Sequence, residues 1–415
     1  MSNRLKFFRE QMAAFEGAVD PQRALESGYY VPEPRKSVSE LISRRVGLRP
    51  SSTHLLLGGI GSGKTTQLLV TRDLINKEIE DVHAYYIDVS LYTDISEISA
   101  GVLTAIAGIV ISDLMKDSEK ELVKKNIALI QKLAYGYSER KVIDPLAGLT
   151  SSPKLFEPRV VLERHEGILT SKPGNEQRKL IEAINQLDKV ATSEYGEIVL
   201  LLDGLDRLDD MQMFSQVVTT DLRDLSSIGI GIVLVGPLRA LYSECRDTLE
   251  QAVNYFDYQS CFDVENDIDS QKFFESIIRT RASEGFIEEA AIQNLIRCSG
   301  GVLRDLINLT QTSIEEAYLA DDDTLQQKHI ETSIASLGKA KILGLLDLEV
   351  EILVNILEED IFLPRTDEEV KLLATGRILE YRYPEKRYAV HPAILPVLKL
   401  VQPNQDVQYD FNDEF

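Results

Sequence analysis

The chain has 415 residues, 44% hydrophobic and 27% charged, which is more than one hydrophobic core accommodates, so two or three packed domains are expected and a disordered chain is excluded. A formal net charge of −22 excludes a surface that binds nucleic acid everywhere, while leaving room for a local basic patch. Three dispersed cysteines (Cys245, Cys261, Cys298) make neither a disulfide framework nor a zinc site, and no apolar stretch reaches bilayer length, so the expectation is a soluble, cytoplasmic protein with no membrane segment.

Residues 1–50 read as an N-terminal arm. A polar, helix-like start leads into Gly28-Tyr29-Tyr30-Val31-Pro32-Glu33-Pro34-Arg35, whose prolines and aromatics suit an extended segment. That segment is either a strap across a nucleotide base or a surface connector. Residues 51–265 read as the core. Leu55-Leu56-Leu57 is a short apolar run, and a helix from Thr65 carries Leu68, Leu69 and Leu74. A second strand over 83–89 and an apolar helix over 98–115 continue the alternation of a parallel sheet with crossover helices.

Between about 117 and 193 the rhythm breaks. A charged helix over 119–133, a stretch containing Pro145, Pro153, Pro158 and Pro173, and a helix near 178–190 predict an insertion, with a mobile loop near 145–175. Ile198-Val199-Leu200-Leu201-Leu202-Asp203 is too apolar to be half-exposed, and so is 228–235 before Gly236-Pro237; both belong mid-sheet. Residues 258–264 suit a last strand. Residues 266–337 read as three or four helices forming a lid. Residues 338–401 contain two helix-like runs and then a hairpin over 377–390 around Pro384-Glu385-Lys386, the layout of a winged helix. Residues 402–415 form an acidic tail. The fold class is therefore α/β: a P-loop NTPase parallel sheet with helices on both faces, followed by an all-α lid and a winged-helix domain.

The strongest chemical signal is Gly58-Gly59-Ile60-Gly61-Ser62-Gly63-Lys64-Thr65, a complete phosphate-binding loop between a strand and a helix. Glycines let backbone N–H groups wrap phosphates, Lys64 neutralises the β- and γ-phosphates, Thr65 offers its hydroxyl to Mg²⁺, and Thr66 assists at the α-phosphate. The metal needs a carboxylate at the end of a buried strand, and Asp203 meets that requirement. Asp206 is a candidate for polarising the attacking water. Gly204 stands directly after Asp203, where many hydrolytic P-loop enzymes have a glutamate, so slow turnover is expected. No guanine-reading Asn/Thr-Lys-x-Asp pattern follows the strands, which favours ATP/ADP as the nucleotide.

Ile198 to Leu208, IVLLLDGLDRL, resembles the second nucleotide motif of NACHT-type switches within the AAA+ and STAND group of P-loop ATPases. The order of core, lid and winged helix is similar, over about residues 50 to 400. The resemblance implies two further contacts. Ser299-Gly300-Gly301-Val302-Leu303-Arg304 resembles the second-sensor motif, whose arginine, here Arg304, reaches the γ-phosphate. Tyr388-Ala389-Val390-His391-Pro392 resembles the motif whose histidine, here His391, contacts the β-phosphate of ADP, although Pro392 replaces the aspartate of many relatives. Arg239 is the weaker candidate for a sensor after the strand ending at Val235. Arg223 and Arg246 are both open as a trans-acting arginine finger.

From residue 338 to 400 there are nine Lys/Arg against eleven Asp/Glu, and only the hairpin, with Arg382, Lys386 and Arg387, is basic. A protein-binding winged helix is therefore favoured over a DNA reader. The implied activity is an ATP-dependent switch that forms homo- or hetero-oligomers with protein partners, set by family analogy in bacterial anti-phage defence. The alternatives are a loader-type AAA+ ATPase that oligomerises on DNA, and a scaffold with negligible turnover.

Overall fold

The computed structural model describes residues 3–16, 20–135, 137–142, 159–164, 168, 174–359 and 362–401. The loop expected near 145–175 lies largely outside these residues, and the acidic tail lies wholly outside them. In chain order, α1 (Asn3–Ala14), α2 (Pro21–Glu26) and α3 (Val38–Leu48) precede β1 (Thr53–Gly58), α4 (Lys64–Glu78), β2 (Val82–Asp88), α5 (Val102–Leu114) and α6 (Glu121–Tyr135). An antiparallel hairpin of β3 (Tyr137–Val142) and β4 (Arg159–Arg164) leads to α7 (Gly174–Tyr195). Then come β5 (Glu197–Asp203), α8 (Met211–Val217), α9 (Arg223–Ser227), β6 (Gly231–Val235), α10 (Arg246–Ala252) and β7 (Tyr255–Gln259). The remainder is α11 (Ile268–Arg281), α12 (Glu289–Cys298), α13 (Leu303–Leu319), α14 (Gln327–Ile342), α15 (Asp347–Glu359), α16 (Asp367–Ala374), the hairpin β8 (Ile378–Tyr381) and β9 (Arg387–Val390), and α17 (Leu395–Val401).

Five strands form a parallel sheet in the order β2-β5-β6-β1-β7, the fold of a P-loop NTPase. The residues fall into two compact units, one of 38–57 and 68–257, the other of 1–37, 58–67 and 258–415. No helix among the described residues is long and apolar enough to cross a membrane.

In the first unit, alternate residues of the central strands are buried on both faces, as their unbroken apolar sequences require. Leu56, Val199, Leu201 and Val233 meet α3 and α4 through Val38, Ile42, Leu68 and Ile75. On the other face, Phe214 of α8 packs close to Leu55 and Leu57, where any side chain on Gly236 would intrude. The insertion adds α6 and α7, which close on α5 at Gly108; a Cβ there would stand 2.9 Å from Ile130 and 3.0 Å from Ile184. The helix expected from 98 begins only at Val102, because Gly101 takes a left-handed φ of 98° and the orphan N–H groups of the first turn bond elsewhere. Asp221, within a π-helical turn (Val218–Leu222), accepts from the N–H of Gly101 (2.8 Å) and Leu103 (3.2 Å) and from the Thr104 hydroxyl (2.8 Å).

In the second unit, α11 to α14 pack around Phe274, Leu295, Leu306 and Ile330. The expected lid boundary at 337/338 falls inside α14, which runs on to Ile342. The start of the chain, read as polar, buries Phe8 and Phe15 in this same core, with Phe7 and Phe8 edge-on to Phe286 at 5.2 and 5.5 Å between ring centres. Arg4 donates to the carbonyls of Ala317, Tyr318 and Asp322, satisfying the C-terminal end of α13. The last sheet strand was expected at 258–264 and is observed at 255–259. Beyond it the chain leaves the ladder, because the Phe262 N–H donates to the Gly301 carbonyl (3.1 Å) and Cys261 forms a bridge with Tyr381.

Candidate functional site

The phosphate loop, residues 58–65, lies at the start of α4, where the helix N-terminus directs unsatisfied N–H groups outward. Lys64 is 6% exposed, and its ammonium donates to the carbonyls of Gly58 (3.2 Å) and Gly59 (3.1 Å), folding the side chain back along the loop. The Ser62 hydroxyl is fully buried and has no hydrogen-bond partner among the described residues. A buried hydroxyl left unpaired costs roughly 1–3 kcal/mol, so this loop is shaped to receive a further polar group. Thr65 and Thr66 are half-buried.

The loop packs against the start of α13. The Arg304 N–H donates to the Gly61 carbonyl (3.2 Å). Gly61 has φ of 77°, and a Cβ there would stand 2.8 Å from Arg304 Cβ and 2.9 Å from Val302 Cγ1; only glycine fits both the backbone and the space. A Cβ at Gly63 would stand 2.9 Å from Leu303 Cδ1. The Arg304 side chain is exposed, and its guanidinium makes no hydrogen bond or ion pair among the described residues. The start of α13 and the phosphate loop are thus in direct contact. The N-terminal segment bridges α4 and β7: Glu33 accepts from Gln67 (2.7 Å) in the first turns of α4 and from Gln259 (2.9 Å) at the end of β7.

Asp203 ends β5 and is 7% exposed. One of its oxygens accepts from the Gly204 N–H (2.8 Å) and the other from the Tyr86 hydroxyl (3.0 Å). Burial, and then the Asp203 charge, push the Tyr86 phenol above its ordinary pKa, so it stays a donor. A carboxylate oriented by two donors suits a hard cation such as Mg²⁺, for which oxygen ligands are required. Asp88 ends β2 directly across the ladder from Asp203, and a Cβ at Gly204 would stand 3.4 Å from an Asp88 oxygen. Asp206 is half-buried in the short 3-10 turn that follows. Arg246 pairs with Glu250 on its own helix, Arg223 is exposed at the start of α9, and Arg239 lies in the 3-10 turn after β6.

His391 is fully buried. Nδ1 accepts from the Ala393 N–H (3.2 Å), so the proton sits on Nε2, which donates to Asp305 (3.0 Å). Asp305 also pairs with Lys341 (2.9 Å). Burial pushes the Asp305 carboxyl up, but the His391 hydrogen bond and the Lys341 charge outweigh it and hold it at about 2. Burial drives the His391 imidazole below its ordinary value, which keeps it neutral.

The hairpin cations are paired within their own unit. Arg387 makes a fork with Asp263 (2.6 and 2.7 Å) and reaches Glu265 (3.0 Å), and Arg382 bonds Glu380 (3.0 Å), which also accepts from Tyr258 (2.7 Å). Arg35 pairs with Asp267 and lies over the Tyr383 ring.

Residues 36–220 match the KAP family P-loop domain. That span contains the phosphate loop, Asp88 and Asp203, and ends before β6 and the helices α11 to α14. Among solved structures, the chain is similar to the Aeropyrum pernix ORC2 protein, solved as ADPNP-ADP complexes (13% identity, 93% of this chain and 97% of that one, TM-score 0.46). It is similar also to the Aeropyrum pernix ORC1 protein in complex with DNA (13%, 92% and 96%, TM-score 0.46) and to the Thermotoga maritima RuvB Holliday junction branch migration motor (14%, 87% and 92%, TM-score 0.39). No curated protein matches the sequence.

Sequence reasoning missed Tyr86, Asp88, Asp305 and Lys341. Asp305 had a signal, as an acidic residue directly after Arg304 in the first turn of a helix, where a carboxylate is favourable. Lys341 had none, since its partner is 36 positions away.

Proposed function

We propose that this protein is an ATP-binding, slowly hydrolysing switch in which the lid helix α13 and the C-terminal hairpin respond to the nucleotide at the phosphate loop. The observation that carries the reading is the hydrogen bond from the Arg304 N–H to the Gly61 carbonyl, with the exposed Arg304 side chain beside it. An exposed arginine next to a phosphate loop is suited to bind a γ-phosphate. Lys64 and the loop N–H groups would hold the β- and γ-phosphates; Thr65 and Asp203 would hold Mg²⁺, which supplies charge neutralisation when bound. Asp206 is the candidate for orienting the attacking water, with Gly204 consistent with slow turnover.

A switch needs a ligand that binds one state better than another, and a site lined by both the loop and the lid supplies such a difference. Helices α15 and α16 with the β8–β9 hairpin act as a protein-binding winged helix, and ATP binding promotes assembly with protein partners. The internal pairing of Arg382 and Arg387 favours this reading over a DNA-loading ATPase, whose hairpin cations would be available to phosphates. Bacterial anti-phage defence is the setting that the sequence resemblance suggests.

The test is to heat-extract the purified protein and identify the released nucleotide by chromatography, with Lys64→Ala as control. Stoichiometric ADP, absent from the variant, is expected. An empty protein that binds ATP only with duplex DNA would replace the switch by the loader.

A further inference from the structure

We infer that Asp305, Lys341 and His391 form a buried relay through which the C-terminal hairpin sets the position of Arg304 at the phosphate loop, His391 acting through Asp305 and not by touching the nucleotide. This rests on the reading of the loop as a nucleotide site and identifies its regulation.

Arg304 and Asp305 are consecutive in the first turn of α13, so about 100° of rotation separates their side chains. One is exposed beside the loop, and the other is buried on an adjoining face of the helix. The Asp305 oxygen that accepts from His391 also accepts from Lys341. Lys341 lies on the last turn of α14 and donates in addition to the Gly376 carbonyl (3.3 Å), in the turn between α16 and β8. The backbone closes the same circuit: the Arg377 guanidinium donates to the Lys341 carbonyl (2.7 Å), and the Arg377 carbonyl accepts from the His391 N–H (2.9 Å). That turn also touches the loop, since a Cβ at Gly376 would stand 3.1 Å from Ile60 Cγ2.

Two elements of the C-terminal part, α14 and the segment after β9, therefore meet at one carboxylate, with the turn after α16 bonded to both, and the sequence neighbour of that carboxylate is hydrogen-bonded to Gly61. Charge-assisted hydrogen bonds among buried groups are the costliest to break, because neither partner finds water in compensation. The start of α13 cannot leave the loop unless Asp305 releases both partners or α14 and the hairpin travel with it. Both His391 ring nitrogens are used inside the protein, so the ring reaches no phosphate while the relay is closed.

The experiment is a double-mutant cycle on the full chain, reading the release rate of fluorescent mant-ADP for the wild type, His391→Ala, Asp305→Asn and the double variant, with unfolding midpoints measured on the nucleotide-free proteins. Each single change is expected to speed release about tenfold, the scale of one lost charge-assisted hydrogen bond, and the double variant no more than the faster single one. His391→Gln, whose amide can still donate to Asp305, should return release to within about threefold of wild type. If Asp305→Asn does not fold, Lys341→Gln with His391→Ala closes an equivalent cycle. Multiplying effects, about a hundredfold in the double variant, would mean that His391 and Asp305 act on the nucleotide separately and would overturn the relay, as would unchanged release in His391→Ala. A wild type that binds no mant-ADP overturns the nucleotide reading and the relay with it; a wild type that binds it while the cycle is additive overturns the relay alone.

Discussion

Two buried aspartates, one in each compact unit, are held in opposite ways. Asp221 is fully buried and accepts only from neutral donors, two backbone N–H groups and a hydroxyl; burial prevails and its carboxyl is pushed up to about 7. Asp305 is nearly as buried but faces an ammonium and an imidazole N–H, and it is held at about 2. The chemistry of the partners, more than depth, decides whether a buried carboxylate is a proton acceptor or a fixed charge. Asp221 fastens one helix start to its neighbours, whereas Asp305 ties together elements from three parts of the C-terminal chain.

Removing the two carboxylates should separate these roles. Asp305→Ala deprives the largely buried Lys341 ammonium, 13% exposed, of the carboxylate it pairs with, and a loss of about 3–5 kcal/mol in denaturant unfolding is expected. Asp221→Ala strands two N–H groups and a hydroxyl but no charge, so about 2–3 kcal/mol is expected; a loss as large as that of Asp305→Ala would mean that the charge distinction is immaterial.

The dependence on pH sharpens the contrast. Folded Asp221 binds its proton up to about 7, and the unfolded chain releases it near ~3.9, so its contribution is full below ~pH 4 and declines as pH rises through 7. Folded Asp305 behaves in the reverse sense: its contribution is present above ~pH 4 and is lost as pH falls through 2. Unfolding measured at pH 5 and 8 should therefore show a decline in the wild type that Asp221→Asn reduces, with a remainder from Asp188, which burial pushes up to about 6; an identical slope in the variant would place its origin elsewhere. The smallest effect is expected at the surface, where Arg382→Ala should cost under about 1 kcal/mol, because the Arg382 side chain is 41% exposed and Glu380 keeps Tyr258 as donor. A larger loss would show that the hairpin depends on that pair.

What the sequence made legible was local. The phosphate loop declares itself in eight consecutive residues, β5 in an unbroken apolar run, and the β8–β9 hairpin in its turn residues. Arg304 could be placed beside the loop by its motif. What remained hidden depends on partners distant along the chain. The late start of α5 follows from Asp221, more than a hundred residues on, and the early end of β7 from Gly301 and Tyr381, which draw the chain out of the ladder. His391 stood out as a single polar residue at a strand end, but nothing around it named Asp305 as its partner.

The helix α1 completes the core formed by α11 to α14, although it is made some 250 residues before them. At roughly 5–20 residues per second, Phe7 and Phe8 leave the ribosome some 15–60 s before Phe286 exists to cover them. Nascent chains stopped before residue 286 should be cut by protease at these phenylalanines, and chains extended past residue 334 should resist. Synthesis thus imposes a waiting period on an aromatic segment that the finished protein hides, and a holding factor on the nascent chain would find its clearest target there.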